Sequence, residues 1–324
     1  MKKLPRILAL ALLAASLGAC SSGTQEPAES PNSEQSSIQD SSALQSAAKS
    51  EASSKTAIAE TAESREPAAK ADTAGFEPVS FGNENCTVEF TGWKPGKNGK
   101  GELKLSLQNN TDKNLRFTTD DVSINGLMAE PLFSAGVAAG KKANDSITFR
   151  SSEPGENGLK DITDIEMTIR VYDDDDYSAD DFYKETVHVY PYGQEKAETF
   201  EREAQPSDKT LIDNDAVSII MTGYDEDPMM GGYAVDLYIV NKSDKSLLIG
   251  TDNGSIDGVM CEPFWADTLA PHKRALTSMR WSSGSLEEAG IETVGEIEME
   301  FHGTDNDNWS ERLFEETITF RPAG

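Results

Sequence analysis

Along much of the chain apolar residues alternate with polar ones, which is the pattern of a β-strand with one buried face. Leu103, Leu105 and Leu107 alternate with charged or hydroxyl residues, and residues 165–171 read Ile-Glu-Met-Thr-Ile-Arg-Val. A helix would instead place its apolar residues three or four positions apart. The pattern therefore predicts an all-β chain built from short strands.

The chain from Phe76 onward is a tandem repeat. The heptapeptide NNTDKNL at residues 109–115 returns 132 positions later as NKSDKSL at residues 241–247. At the same spacing, DDVSINGLMAEP at residues 120–131 returns as DNGSIDGVMCEP at residues 252–263. About seven predicted strands in each copy of roughly 115 residues indicate two tandem immunoglobulin-like β-sandwich domains.

Turn residues separate the predicted strands. Asn125-Gly126 and Asp257-Gly258 favour the positive φ angles of a two-residue type I′ hairpin turn. Ser285 is followed three positions later by a glutamate, which is the spacing of a helix capping box, and Gly290 can end such a helix. One short helical turn is therefore expected in each copy.

The segment before the repeats resembles an export signal. Three basic residues precede an apolar run at residues 7–19, which is shorter than the roughly 20 residues that span a bilayer but fits a signal-peptide core. Leu-Gly-Ala-Cys at residues 17–20 resembles the lipobox of bacterial type II signal peptides. The resemblance implies cleavage before Cys20 and attachment of lipid to its thiol, which would hold the protein at the membrane.

Residues 20–75 are rich in Ser, Ala and Glu and contain almost no large apolar residue, so we expect them to be disordered. The predicted organisation is a lipoprotein signal peptide at 1–19, the lipidated cysteine and a disordered tether at 20–75, a first sandwich at 76–195, a linker at 196–210 and a second sandwich at 211–324.

Charge and cysteine content narrow the possible partners. The formal net charge is −28, which disfavours nucleic acid and suits cations, basic proteins or neutral glycans. Besides Cys20 the chain has two cysteines, Cys86 and Cys261, which are matched by Val217 and Ala129 in the other copy. Because their counterparts are small or apolar, both are predicted to be buried free thiols.

The repeated motifs also support a family resemblance. Asn-x-(Thr/Ser)-Asp-Lys, Asp-x-x-Ser-Ile-(Asn/Asp)-Gly-x-Met-x-Glu-Pro and a later Ile-Glu-Met strand together resemble uncharacterised repeats in lipoproteins of Gram-positive bacteria. Those repeats are similar to telokin-like, immunoglobulin-like extracellular domains that are often fused to lipoprotein signals. The resemblance covers residues 76–191 and 211–322. It implies a fold and a location, and it transfers no catalytic residue.

The candidate metal site is an acidic turn that occurs in both copies. Asp173 and Asp175 in the first copy match Asp305 and Asp307 in the second. Spaced carboxylates are calcium ligands, so Ca²⁺ binding at these four residues is one hypothesis. The alternative is a strand-to-strand turn, because Asp and Asn favour tight backbone geometry.

Aromatic residues offer another possible site. Trp265, Trp281 and Trp309 could stack on sugars or proteins. Their counterparts in the first copy are Phe133, Phe149 and Tyr177, and this match favours packing in the core or in turns.

Catalytic motifs are scarce in the sequence. It contains no Gly-rich phosphate loop, no Gly-x-Ser-x-Gly and no His-Glu-x-x-His. His188 and His302 fall at polar positions of strands and His272 in a predicted loop, so all three are expected to be exposed.

These observations favour a non-enzymatic lipoprotein on the extracytoplasmic face of a bacterial cell membrane. Its two sandwiches would present binding surfaces to an unidentified protein or glycan and not to nucleic acid. Two alternatives are a calcium-dependent module and an accessory or enzymatic component of an envelope or transport system.

Overall fold

The computed structural model describes residues 76–97, 100–150, 159–229 and 231–323. The predicted signal peptide, Cys20 and the tether at 20–75 lie outside these residues. All of the described residues belong to one compact unit. No helix in the part of the chain that the structure describes is long and apolar enough to cross a membrane.

The first repeat contains nine strands among its described residues, which run β1 Val79–Gly82, β2 Cys86–Pro95, β3 Gly101–Asn109, β4 Leu115–Ile124, β5 Leu127–Met128, β6 Ser134–Val137, β7 Lys142–Phe149, β8 Ile165–Asp173 and β9 Tyr183–Val189. One four-stranded sheet has the order β1-β2-β3-β7. The facing layer has the order β5-β4-β8-β9, with β6 also paired to β4. Consecutive strands β3 and β4 therefore lie in different layers, as do β7 and β8, which is an immunoglobulin-like arrangement.

The second repeat has the same nine strands in the same pairing, namely β10 Lys209–Asp213, β11 Val217–Asp225, β12 Tyr233–Asn241, β13 Leu247–Ile256, β14 Val259–Met260, β15 Ala266–Leu269, β16 Arg274–Trp281, β17 Ile297–Asp305 and β18 Asn308–Phe320. Its layers are β10-β11-β12-β16 and β14-β13-β17-β18, with β15 on β13. The predicted all-β fold of two immunoglobulin-like sandwiches is confirmed. Each copy has more strands than the seven expected, because strands as short as β5 and β14 leave little periodic signal.

The predicted hairpin turns are confirmed in both copies. Asn125 and Gly126 have φ angles of 51° and 76°, and Asp257 and Gly258 have 50° and 80°. Ile124 pairs with Leu127 across the first turn, so its loop has two residues. These are the dihedral angles that a type I′ turn requires.

The predicted helical turn is present in the second repeat as α1, Ser283–Glu288, and Gly290 ends it with a φ of +71°. Its N-cap is Ser282 and not Ser285, because the Ser282 hydroxyl accepts the Ser285 backbone N–H at 3.0 Å. The corresponding segment of the first repeat lies at residues 151–158, outside the described residues.

Two hydrophobic cores fill the sandwiches. Cys86 is completely buried in the core of the first repeat and Cys261 is 6% exposed in that of the second. Both are free, so the prediction of buried thiols is confirmed. Burial raises the pKa of Cys86 to about 11, which suits a space-filling thiol and not a reactive one.

The two sandwiches share a sheet, which the sequence reasoning did not predict. Strand β5 of the first repeat pairs in parallel with β16 of the second, at Leu127 and Arg274. This pairing joins one layer of each repeat into a nine-stranded sheet.

The segment predicted as a linker, 196–210, packs against the first repeat. Phe200 is 8% exposed within that repeat's core, and its backbone N–H donates to the Asn125 carbonyl at 2.7 Å. Arg202 holds Asp208 through two hydrogen bonds of 2.6 and 2.8 Å. Phe200, the one large apolar residue of this mostly polar segment, anchors the segment to the first repeat.

Candidate functional site

The acidic turns are held by lysines. Asp173 ends β8 and is buried, and its Oδ2 accepts Lys113 Nζ at 2.6 Å. Its Oδ1 accepts the backbone N–H of Asp175 at 3.1 Å. The hydrogen bond from Lys113, followed by the one from the Asp175 backbone, lowers the pKa of Asp173. The carboxylate therefore stays ionised, and the ammonium group of Lys113 balances its charge.

The second repeat builds the same turn. Lys245 Nζ lies 3.1 Å from Asp305 Oδ2, and the Asp307 N–H donates to Asp305 Oδ1 at 3.0 Å. The pKa of Asp305 is lowered, first by the Asp307 backbone and then by Lys245. Asp175 and Asp307 themselves are exposed.

The four predicted calcium residues thus come together in two pairs, each with a lysine. Among the residues that the structure describes, no group of three or more His, Cys, Asp or Glu side chains is placed to hold a metal ion. Calcium binding at these turns stays an untested hypothesis, in which the ion would have to compete with Lys113 and Lys245.

The repeated Asn-x-(Thr/Ser)-Asp-Lys motif has a structural role. Asn109 is 1% exposed and its amide donates to the carbonyls of Lys113 at 2.7 Å and Val137 at 2.9 Å. Its Oδ1 accepts both the N–H and the hydroxyl of Thr111. Asn241 makes the same set of contacts in the second repeat. The motif shapes the loop that presents the lysine to the acidic turn.

A groove between the two repeats is the candidate binding site. It has a volume of about 540 Å³ and is lined by residues of both sandwiches. Its apolar lining comes from Met128, Ala129, Leu132, Phe149, Ala275 and Leu276. A cleft of this size with mixed apolar and polar walls is typical of ligand sites.

Charged groups of both signs stand in the groove. Asp267 and Glu130 contribute carboxylates, and Arg150 and Arg280 contribute guanidinium groups. Burial raises the pKa of Asp267, although hydrogen bonds from Thr277 and the Thr268 backbone partly oppose this. Asp267 is therefore a half-buried acceptor that would gain from a cationic or hydrogen-bonding ligand group.

The most exposed large apolar side chains recur at equivalent positions. Leu132 is 96% exposed and its counterpart Phe264 is 93% exposed, each directly after a Glu-Pro pair. Leu132 stands at the groove, whereas Phe264 is outside its lining. The repeated Glu-Pro-apolar sequence was a signal that sequence reasoning could have used to find this surface.

The aromatic predictions divide between core and surface. Trp281 is 1% exposed and its indole N–H donates to the Cys261 carbonyl, so core packing is confirmed there. Trp265 also packs against the core of the second repeat. Trp309 is 72% exposed, but its indole donates to the Asn306 carbonyl within the turn at 2.9 Å.

The histidines follow the prediction with one exception. His188 and His272 are exposed and contact carboxylates, at 2.9 Å to Asp164 and 2.8 Å to Asp244. The prediction was wrong for His302, whose side chain is 20% exposed. Its ring lies against Gly250 of the neighbouring strand, where the missing side chain leaves room.

Comparison with known proteins adds little to this picture. No protein-family model matches the chain, and no curated protein matches it at a significant level. A crystal structure of the YadV chaperone is similar over 68% of this chain and 92% of its own length, with 8% identity and a TM-score of 0.21. The Salmonella enterica SafA pilin in complex with the SafB chaperone is similar over 72% of this chain and 96% of its own length, with 8% identity and a TM-score of 0.18. At these TM-scores the similarities carry no argument about this chain.

Proposed function

We propose that this protein is a lipid-anchored binding protein of the bacterial extracytoplasmic surface, and that it holds a polypeptide ligand in the groove between its repeats. The lipobox-like sequence ending at Cys20 supports the location. The groove supports the activity, and the proposal assigns the chain no reaction.

One observation carries the binding proposal: a large apolar side chain, Leu132, stands almost fully exposed at the edge of a groove that also holds the half-buried carboxylate of Asp267. An exposed leucine gains about 1.5–3 kcal/mol on complete burial. Asp267 supplies an acceptor for a backbone or side-chain donor of the ligand. Binding energy at interfaces is concentrated in a few side chains that the partner fully desolvates.

The lining favours a polypeptide over a glycan. Sugar sites present exposed aromatic faces, whereas the groove exposes the aliphatic Leu132, and its aromatic lining residue Phe149 is 2% exposed. The arginines and carboxylates of the groove can pair with the charges of a polypeptide.

The binding proposal is tested with a displayed library of random peptides selected against Arg65–Gly324. We expect enriched peptides whose affinity falls about tenfold or more in a Leu132→Asp variant. Phe264→Asp is the matched control, because it places the same charge at the equivalent position outside the groove. Failure to enrich any peptide, or equal loss of affinity in both variants, would contradict the proposal.

The location is tested separately with Cys20→Ser. In a bacterial host the wild-type protein should partition with membranes and incorporate labelled fatty acid, and the variant should incorporate none. Both should give the same melting temperature, because Cys20 lies outside the sandwiches. Fatty-acid labelling that persists in the variant would refute lipidation at Cys20.

A further inference from the structure

The first repeat holds the second repeat with its β4–β5 hairpin. The Arg274 N–H donates to the Gly126 carbonyl at 3.0 Å, next to the parallel pairing of Leu127 and Arg274. Leu127 is completely buried, and Met128 packs against the core of the second repeat. This hairpin surface, residues 125–128, is one half of the junction between the repeats.

The other half is the outer face of a sheet in the second repeat. Ile220, Tyr238 and Leu276 form one row across strands β11, β12 and β16. Tyr238 is 7% exposed and belongs to the first repeat's core, against which Ile220 and Leu276 also pack. The junction therefore joins a hairpin to an apolar sheet face.

Charges complete the junction. Lys273 pairs with Glu166 of strand β8, and Arg274 lies 3.2 Å from Glu201. Lys273 and Arg274 stand at the start of β16, the edge strand of the apolar face. The hairpin side contributes carboxylates and the sheet face contributes the basic pair.

The second repeat carries its own copy of the hairpin surface, at residues 257–260, and that copy is uncovered. Val259 is 43% exposed where its counterpart Leu127 is completely buried, and Met260 is 62% exposed. Glu298, the counterpart of Glu166, is exposed as well. Apolar side chains and a carboxylate thus stand in the same arrangement as at the occupied junction.

A second copy of this chain does not offer the matching face. In the first repeat the row equivalent to Ile220, Tyr238 and Leu276 consists of polar residues, which the strand register identifies as Glu89, Ser106 and Asn144. Such a polar outer face is the mark of a terminal repeat in a stacked array. The occupant is therefore a domain other than these two repeats, because the first repeat's face is polar and the second repeat's face is already covered.

We infer that the hairpin at residues 257–260 is a docking surface for the sheet face of another β-sandwich domain. The occupant presents a row of large apolar side chains on the outside of its sheet, and a lysine or arginine at the start of its edge strand. The apolar row covers Val259 and Met260, and the basic residue pairs with Glu298. This surface is distinct from the groove of the proposed function.

The chain itself supplies the probe for a test. Lys141 and Lys142 of the first repeat already stand at the positions equivalent to Lys273 and Arg274. Gln108 is the counterpart of Val240, which also packs against the first repeat's core. Adding Glu89→Ile, Ser106→Tyr, Gln108→Val and Asn144→Leu to Arg65–Gly324 completes a copy of the second repeat's sheet face on the first repeat. All four side chains lie on the outer face, away from the core.

Sedimentation equilibrium should show a monomeric wild type and a grafted variant whose average mass rises with concentration to twice the monomer or more, because a head-to-tail contact can extend from one chain to the next. Val259→Asp with Met260→Asp in the grafted chain should restore the monomer. Phe264→Asp in the grafted chain, the matched control, should leave the association intact.

Two results would overturn the inference. One is a grafted chain that stays monomeric, or whose association survives Val259→Asp with Met260→Asp. The other is a wild type whose association is abolished by the same two substitutions, since the occupant would then be a second copy of this chain.

Discussion

Asn109 and Asn241, the buried asparagines of the two repeats, should each contribute several kilocalories per mole to the free energy of unfolding. In Asn109→Ala, the carbonyls of Lys113 and Val137 lose their donor and the Thr111 N–H loses its acceptor. Val137 is 3% exposed, so water cannot readily replace the donor at its carbonyl. A buried group left without a partner costs about 1–3 kcal/mol, and we expect a total loss of about 2–4 kcal/mol.

Urea unfolding of Arg65–Gly324 measures this loss. Asn241→Ala should cost a similar amount because it breaks the same contacts in the second repeat. Asn110→Ala is the matched control. The Asn110 side chain is exposed, so the free energy of unfolding should change by no more than about 0.5 kcal/mol. A cost below that value for Asn109→Ala would refute the view that the motif acts through these hydrogen bonds.

Two further predictions concern charge. The pKa of Asp267 is raised by burial, so its contribution to stability is full below its ordinary pKa and is lost as pH rises through the raised value. Asp267→Asn should therefore flatten the fall in melting temperature from acidic to neutral pH, and parallel curves for the two proteins would contradict this. Millimolar calcium should leave the melting temperature of the wild type unchanged, because Lys113 and Lys245 already balance the charges of Asp173 and Asp305; a clear rise would instead support the calcium hypothesis.

Local features were predictable from the sequence because their causes are local. Alternating residues such as Leu103, Leu105 and Leu107 predict a strand with one buried face, and the structure buries all three. The Asn125-Gly126 turn is readable because only a few residues tolerate two consecutive positive φ angles. The N-cap of α1 was placed three residues late, since Ser282 and Ser285 both have the chemistry of a cap and only the backbone decides between them.

The sequence of strand β12 contains a pattern that could have predicted the shared sheet. Strand β12 reads Tyr-Ala-Val-Asp-Leu-Tyr-Ile-Val-Asn, with Tyr238 and Val240 on the face that alternation should leave polar. A nearly continuous apolar run indicates a strand buried on both faces. Its counterpart β3 alternates strictly, so the two copies together pointed to a covered face in the second repeat alone.

The candidate sites were harder to predict because their residues are far apart in sequence. Lys113 and Asp173 are brought together by the pairing of β4 with β8, which no short motif encodes. The groove draws on both repeats, so it depends on the junction at Leu127 and Arg274. Without that junction, Leu132 is an ordinary exposed leucine and Asp267 an ordinary acid.

Comparison of the two copies separates residues that maintain the fold from residues with individual tasks. Asn109 and Asn241 make the same contacts, as do the lysine and aspartate pairs, so their recurrence is explained by folding alone. Tyr238 differs from Ser106 in chemistry, and Val259 differs from Leu127 in burial. Because both copies fold in the same way, such differences reflect the different contacts that each copy makes with other surfaces. The binding functions of this protein should therefore be sought where its repeats diverge, at the groove and at the open hairpin, and not in the motifs they share.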